Sequence, residues 1–242
     1  MPKQAILVAT ENKKAIEFLT AYFADTQSTP TIIRSKQDID VLFDLKPDFI
    51  FVQAEWIDGR LSELLRQFKT KLPKLRLFCL GRSPHEAVSN WNGVFEFPLD
   101  EKLFRKTLLA HVEFPPKIKL MVVDDEVEIG EMIQDYFGVR TDPPFEVRTA
   151  PNGLEGFKLI EQDLPHCLIL DLKMPVRTGV ELYQDLVKSG RKIPIVIFID
   201  STTADDIHEI RKWGAPVFVE KGGHYSSMPD MLALVKKLVG FS

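Results

Sequence analysis

The sequence predicts an α/β protein built from two tandem (βα)5 domains, each a doubly wound parallel sheet covered by helices. Its 242 residues suit two domains of about 120 residues each. Hydrophobic residues make up 45% of the chain, enough for a globular core. Short apolar runs alternate with segments of helical periodicity, and nearly continuous apolar strands of this kind are typical of parallel sheets buried on both faces.

The first half contains five predicted strands and five predicted helices. The strands are Ala5–Ala9, Thr31–Ile33, Asp48–Val52, Leu75–Leu80 and Val94–Phe97, and the helices lie near 12–24, 38–45, 60–71, 84–90 and 100–112. Each strand is followed by a helix, as a (βα)5 unit requires.

The second half repeats the same alternation. Its strands are Lys119–Val123, Phe145–Thr149, Cys167–Asp171, Ile195–Ile199 and Pro216–Val219, and its helices lie near 127–138, 152–163, 178–189, 203–213 and 228–240. The stretch from Lys46 to Gln53 also matches the stretch from Leu164 to Asp171 in apolar pattern and proline position. This internal similarity indicates a tandem duplication.

A Pro-Pro pair at positions 115 and 116 separates the two copies. Because proline cannot continue a helix and favours an extended spacer, the boundary is predicted near residues 113–118. The predicted domains are therefore residues 1–113 and 118–242.

Charge and hydrophobicity exclude several classes of partner. The net charge is −4, distributed as +1 through residue 116 and −5 beyond it, so neither half has the basic surplus of a nucleic-acid-binding domain. No apolar run reaches the roughly 20 residues of a membrane span, and no signal peptide is evident. Two cysteines within apolar runs, Cys79 and Cys167, fit buried reduced thiols. A cytoplasmic protein is expected.

Acidic residues follow two strands of the second half, and a lysine follows a third. Asp124 and Asp125 follow its first strand, Asp171 closes its third and Lys221 follows its fifth. Ligands of open parallel sheets bind beyond the carboxyl ends of the strands, so these side chains are expected to meet there. Three carboxylates and a lysine suit a Mg²⁺ and phosphoryl site. Taken singly, the Asp-Asp pair would be better explained as an ordinary helix N-cap, and only the full set of residues favours the metal and phosphoryl site.

The segments Val122-Val123-Asp124-Asp125-Glu126 and Leu170-Asp171-Leu172-Lys173-Met174-Pro175, followed by Gly179 and Lys221, resemble the receiver domain of bacterial response regulators. The resemblance covers the second half and implies a flavodoxin-like fold. It implies that Asp171 accepts a phosphoryl group from a sensor histidine kinase or a phosphotransfer protein. Asp124, Asp125, Asp171 and the backbone carbonyl of Lys173 are then expected to hold Mg²⁺, with Lys221 contacting the phosphoryl oxygens.

Two positions depart from the family pattern. Ile199 stands where the family has Thr or Ser at the end of the fourth strand, with Asp200 next to it, and Lys221 is followed by Gly222 instead of proline. Phe218 lies at the aromatic switch position of the fifth strand, where an ordinary core phenylalanine is an equally good interpretation. Phosphorylation is expected, but its readout through a hydroxyl and an aromatic switch is in doubt.

The first half lacks the residues of this chemistry. Ala9 and Thr10 stand at the positions of the acidic pair, Gln53 at that of the acceptor and Phe97 at that of the lysine. This half resembles a pseudo-receiver that has lost its phosphorylation site, and protein binding is its expected role.

The leading functional hypothesis is a response regulator that signals through protein contacts. The chain ends just after the last predicted helix, so no DNA-binding or catalytic output domain is expected, and the partners are a kinase or phosphotransfer protein and a downstream protein. A homodimer is one possible state. The alternative is a phosphorylation-independent scaffold. An Asp-nucleophile phosphatase is disfavoured because such enzymes usually carry an acid/base Asp two residues after the nucleophile, where this chain has Lys173.

Overall fold

The computed structural model describes residues 3–43, 45–82, 91–139, 141–200, 204–222 and 227–242, without the side chains of residues 40–43, 204 and 205. Two compact units are present. The first comprises Met1–Val112 together with Phe241–Ser242, and the second comprises Glu113–Gly240.

The first unit is a five-stranded parallel sheet flanked by helices. Its strands are β1 (Ile6–Ala9), β2 (Thr31–Ile33), β3 (Phe49–Gln53), β4 (Arg76–Leu80) and β5 (Gly93–Phe95), and its α-helices are α1 (Lys13–Phe23), α2 (Gly59–Lys71) and α3 (Glu101–Leu109). The strand order is β2-β1-β3-β4-β5, with all pairs parallel. This order defines a flavodoxin-like doubly wound sheet.

Local sequence explains where the helices of the first unit begin. The side chains of Asn12, Asp58 and Asp100 each accept a hydrogen bond from a backbone N–H in the first turn of α1, α2 and α3. Such N-caps satisfy donors that would otherwise lack a partner inside the helix. Apolar side chains of the central strands then pack on both faces of the sheet, which gives this unit two core clusters.

The second unit has the same topology. Its strands are β6 (Ile118–Val123), β7 (Phe145–Ala150), β8 (Cys167–Leu170), β9 (Ile195–Ile199) and β10 (Val217–Glu220), and its helices are α4 (Val127–Gly138), α5 (Gly153–Gln162), α6 (Gly179–Lys188), α7 (Ala204–Trp213) and α8 (Met228–Phe241). The order β10-β9-β8-β6-β7 is that of the first unit read from the opposite edge. Parallel pairing throughout confirms the predicted pair of flavodoxin-like folds.

The predictions differ from the structure in two elements of the first unit. The segment expected as a helix near 38–45 is a 3-10 helix, Lys36–Phe43. It cannot extend far, because Pro47 disfavours helical conformation in the residue before it. Strand β5 ends at Phe95 instead of Phe97, close to Pro98, which has no N–H for a strand ladder. The helix expected near 84–90 lies outside the described residues.

No helix in the described ranges combines the length and the apolar character needed to cross a membrane.

Candidate functional site

The candidate site lies where strands β6, β8 and β10 of the second unit end. Strand β6 pairs with β8 so that Val123 lies opposite Leu170. The next residues continue this alignment, because the N–H of Asp171 donates to the carbonyl of Val123 at 2.9 Å. The N–H of Lys221 donates to the carbonyl of Ile199 at 2.6 Å. The sheet itself therefore brings Asp124, Asp171 and Lys221 to one edge.

The ammonium of Lys221 is the centre of the site. Its Nζ lies 3.1 Å from Oδ2 of Asp124, 3.4 Å from Oδ1 of Asp171 and 2.7 Å from Oε1 of Glu126. Two of these carboxylates were predicted, whereas Glu126 was not. The closest of the three contacts is thus to a residue that the sequence analysis quoted within a motif but gave no role.

Two of the three predicted aspartates are buried. Asp124 and Asp171 are each 6% exposed, and Oδ1 of Asp124 accepts a hydrogen bond from the N–H of Glu126 at 3.0 Å. Oδ2 of Asp171 accepts one from the N–H of Lys173 at 2.6 Å. These bonds fix the two loops in which the carboxylates stand.

Burial changes the protonation of this cluster. Removal from water raises the pKa of Asp124 to about 6, and the lowering effects of the Glu126 N–H and of Lys221 do not offset it. Burial also raises the pKa of Asp171, against the lowering effect of Lys221. For Lys221, burial acts to lower the pKa, but pairing with Glu126 and Asp124 outweighs it and the net direction is upward. The lysine is therefore firmly cationic, while the two acids titrate nearer to neutrality than usual.

The predicted metal ligands do not form a ready-made cage. Asp125 is exposed, and no three His, Cys, Asp or Glu side chains in the described part of the chain are grouped so that they would hold a metal ion by themselves. The arrangement nevertheless fits a cation, because the buried Oδ2 of Asp124 makes no hydrogen bond. This oxygen has an ion pair with Lys221 at 3.1 Å but accepts no hydrogen bond, so it can take a further cationic partner.

Ile199 and Phe218, the two residues at the family's switch positions, are placed differently. Ile199 is 4% exposed and belongs to a core cluster with Val123 and Leu170, so an apolar side chain fills the place where a hydroxyl was expected. Phe218 is partly buried against the same cluster, and the guanidinium of Arg211 lies 5.9 Å from its ring centre. Asp200 is exposed, and Ser201 and Thr202 lie outside the described residues.

In the first unit, a neutral hydrogen-bonded pair occupies the equivalent place. Thr10 Oγ1 donates to Gln53 Oε1 at 2.6 Å, and Gln53 Oε1 also accepts from the N–H of Glu11 at 3.1 Å. Thr10 is fully buried and Gln53 is 9% exposed. The pair therefore links the end of β1 to the end of β3 without any charge. Phe97, which stands at the position of the lysine, is 37% exposed.

This pair predicts a measurable coupling energy. Thr10→Val and Gln53→Leu should each destabilise the protein by about 1–2 kcal/mol, because each removes the buried hydrogen bond between the two side chains. The double variant should lose about 1 kcal/mol less free energy of unfolding than the sum of the losses in the two single variants. Urea denaturation followed by tryptophan fluorescence measures this, with Thr20→Val on the exposed side of α1 as control. Strict additivity would show that the bond contributes nothing.

Sequence comparison identifies relatives of the second unit. Residues 120–233 match the family described as the response regulator receiver domain. A protein-glutamate methylesterase/protein-glutamine glutaminase from Nocardioides sp. (strain ATCC BAA-499 / JS614) is 32% identical over 125 residues, which are 50% of this chain and 34% of that protein. The transcriptional regulatory protein RprY from Bacteroides fragilis (strain YCH46) is 24% identical over 110 residues, which are 46% of this chain and 45% of that protein. The chain thus spans less than half the length of each of these relatives.

Solved structures that match part of this chain include the Vibrio cholerae chemotaxis protein CheY4. The match covers 50% of this chain and 98% of that one, with 23% identity and a TM-score of 0.44. A proposed two-component system response regulator/GGDEF domain protein matches over 96% of this chain and 98% of its own, with 16% identity and a TM-score of 0.45. The fold assignment rests on the strand order of the two sheets.

Proposed function

Because residues 120–233 match the response regulator receiver domain family, we propose that this chain acts in two-component signalling by accepting a phosphoryl group on Asp171. The observation that carries the proposal is the convergence of Asp171, Asp124 and Lys221 at one buried sheet edge, with Lys221 Nζ within 3.4 Å of both aspartates. A nucleophilic carboxylate, a second acid and a fixed cation are the parts that phosphoryl transfer requires.

The proposed reaction is a transfer from a phosphohistidine of a kinase or phosphotransfer protein. A carboxylate oxygen of Asp171 attacks phosphorus, a P–O bond forms and the P–N bond breaks. The imidazole leaves with the bonding electron pair and takes up a proton. Lys221 offsets the negative charge on the phosphoryl oxygens, which is the electrostatic stabilisation on which such reactions depend.

Mg²⁺ is the cofactor that this residue set would take. Asp124, whose buried Oδ2 has an ion pair with Lys221 but no hydrogen bond, and Asp171 supply carboxylate ligands. The exposed Asp125 and the backbone carbonyl of Lys173 are proposed to complete the set. Mg²⁺ commonly uses one or two protein carboxylates and fills its remaining positions with water and phosphate oxygens, so a cage of protein ligands is not needed. When bound, the ion neutralises and orients the phosphoryl group.

The experiment that tests the proposal is phosphate uptake by the full chain. Incubation with acetyl phosphate and Mg²⁺ should add the mass of one phosphoryl group, measured on the intact protein. Asp171→Asn should take up none, whereas Asp135→Asn, an exposed aspartate of α4, should behave as the wild type. Equal uptake by wild type and Asp171→Asn would refute the assignment of the acceptor.

The raised pKa of Asp124 predicts a pH dependence for Mg²⁺ binding. The ion competes with protons for a carboxylate whose pKa is about 6, so affinity should be nearly constant above pH 7 and should fall as the pH drops through 6. Between pH 7.5 and 5.5 we expect a loss of about fourfold, whereas an aspartate of ordinary pKa would show almost none. Isothermal titration calorimetry at the two pH values measures this. Asp124→Asn should bind weakly and lose the pH dependence.

We further propose that the chain signals through protein contacts and is not itself an enzyme. The first unit has the same fold but carries Thr10 and Gln53 where the second has Asp125 and Asp171. That difference supports a pseudo-receiver role for the first unit, with binding of a downstream protein as its contribution.

One observation favours a second candidate, a phosphorylation-independent scaffold. Ile199 removes the hydroxyl that the family pattern places beside the phosphoryl group, and its side chain is committed to the core. Mg²⁺ binding without phosphate uptake from acetyl phosphate or from a phosphorylated kinase would support the scaffold and contradict the leading proposal.

A further inference from the structure

Glu126 makes the shortest of the three carboxylate contacts of the Lys221 ammonium, although none of the assigned roles includes it. Its Oε1 accepts a hydrogen bond from Lys221 Nζ at 2.7 Å, compared with 3.4 Å between Nζ and Oδ1 of Asp171. The two residues are 95 positions apart in the chain, so this contact exists only in the folded protein. Lys221, the cation expected to meet the phosphoryl group, is thus closer to Glu126 than to the acceptor.

The backbone position of Glu126 supports a dedicated role for its side chain. Glu126 occupies the N-cap position of α4 but makes no side-chain capping bond. Ser, Thr, Asp and Asn are the residues that normally cap a helix at this position. The carboxylate of Glu126 reaches Lys221 instead, and its side chain is 51% exposed while that of Lys221 is 9% exposed. It therefore approaches the buried ammonium from the solvent side.

We infer that Glu126 is a positioning residue that holds Lys221 away from Asp171 in the unphosphorylated protein and releases it when a phosphoryl group competes for the ammonium. The release of Lys221 by a phosphoryl group rests on the proposed function. The restraint of Lys221 by Glu126 does not, because it is a property of the unphosphorylated chain. Because Lys221 is a flexible side chain with a single charge, its ammonium is shared among three carboxylates, of which Glu126 is the nearest and Asp171 the most distant.

The alternative explanation is that Glu126 acts only through its negative charge, which would oppose any anion nearby. Two variants separate the explanations. Glu126→Ala removes the charge and the contact, and it removes no capping bond because the native side chain makes none. Glu126→Asp keeps the charge but shortens the side chain by one methylene, about 1.5 Å, and places a good capping residue at the start of α4. Glu128→Ala, an exposed acid of the first turn, is the control for loss of one charge.

The first measurement follows Lys221 without any phosphate donor. NMR measures the rate at which its ammonium protons exchange with water, with a Lys221→Arg variant for assignment. This rate should rise in Glu126→Ala and in Glu126→Asp and stay unchanged in Glu128→Ala.

The second measurement is the initial rate of phosphorylation by acetyl phosphate and Mg²⁺ in the same proteins. It should rise about two- to fivefold in both Glu126 variants, the range expected for a partly exposed ion pair.

The outcomes separate this inference from the proposed function. Unchanged exchange in both Glu126 variants overturns the restraint. Faster phosphorylation of Glu126→Ala with wild-type behaviour of Glu126→Asp shows that charge alone acts, and also overturns it. If exchange rises in both Glu126 variants but no protein takes up phosphate, the restraint of Lys221 stands and the phosphorylation proposal fails.

Discussion

Gly179→Ala is expected to destabilise the second unit by about 3 kcal/mol or more and to abolish phosphate uptake. Gly179 is the first residue of α6, and its N–H donates to the carbonyl of Leu172 at 3.1 Å. A methyl group at this position would overlap the carbonyl oxygen of Asp171 and would lie 2.9 Å from Cα of Leu172. Both are backbone atoms, so the clash cannot be relieved by turning a side chain, and overpacking of this kind is costly.

The loop has little freedom to move away from the added methyl group. The helix that follows is fixed by a capping box between Thr178 and Glu181, and Asp171 is held by the N–H of Lys173 at 2.6 Å. A displaced Asp171 would lose its alignment with Lys221, so the chemical and the structural losses should appear together. In transfer reactions small displacements of the reacting groups are enough to reduce rates severely.

A matched control is available in the same unit. A methyl group at Gly138, the last residue of α4, would meet nothing within 4 Å, so Gly138→Ala should unfold at the wild-type urea concentration or slightly above it. Urea denaturation and acetyl phosphate labelling of both variants make the comparison. If Gly179→Ala were as stable as Gly138→Ala, the close approach of Gly179 to the Asp171 carbonyl would be wrong.

The fold was predictable because its signal is repeated ten times along the chain. Nearly every apolar run became a strand, and Thr31–Ile33 and Ile195–Ile199 have the predicted bounds. Parallel strands buried on both faces need continuous apolar sequence, which is the strongest pattern that a chain can carry. The weakest prediction was the segment Lys36–Phe43, which forms a 3-10 helix. Its few residues and its charges do not provide a long apolar face to hold an α-helix against the sheet.

The site was predictable only in part, for a physical reason. The ends of strands place Asp124, Asp171 and Lys221 at one edge of the sheet, and strand ends are visible in the sequence. Where a side chain points is decided by loops and by long-range contacts. This is why the exposure of Asp125 beside the buried Asp124 and Asp171 was not visible in the sequence, and why the contact of Glu126 with Lys221 was missed. A glutamate at a helix N-cap, where it caps poorly, was the signal that would have revealed it.

Ile199→Thr should restore a hydroxyl to the phosphoryl site and raise the affinity of this site for a phosphoryl mimic about tenfold or more. Ile199 is the last residue of β9, and its carbonyl accepts the N–H of Lys221 at 2.6 Å, so its backbone adjoins that of the lysine proposed to meet the phosphoryl group. A hydrogen bond to a charged group contributes about 1.5–3 kcal/mol, and about 1.4 kcal/mol corresponds to a factor of ten. We expect tighter binding of beryllium fluoride, a mimic of the phosphoryl group, in the presence of Mg²⁺.

The same substitution should lower stability, because the native side chain is 4% exposed and packs among core residues. Ile199→Val is the matched control, since valine and threonine have the same shape and differ only in a methyl group and a hydroxyl. Ile199→Val should lower the free energy of unfolding by about 0.5–1.5 kcal/mol through the lost methyl group. Ile199→Thr should lower it by about 1–3 kcal/mol more, because it buries a hydroxyl.

The difference between these two variants isolates the hydroxyl, and it decides what Ile199 means for the chain. If the Ile199→Thr variant binds beryllium fluoride more tightly than the Ile199→Val variant, the native Ile199 lowers the affinity for the phosphoryl group. Phosphorylation of the second unit is then weak or brief. If the two variants bind equally, the side chain at position 199 does not reach the phosphoryl group. The loop after β9 then differs from the family pattern, and the loss of the hydroxyl carries no information about the readout.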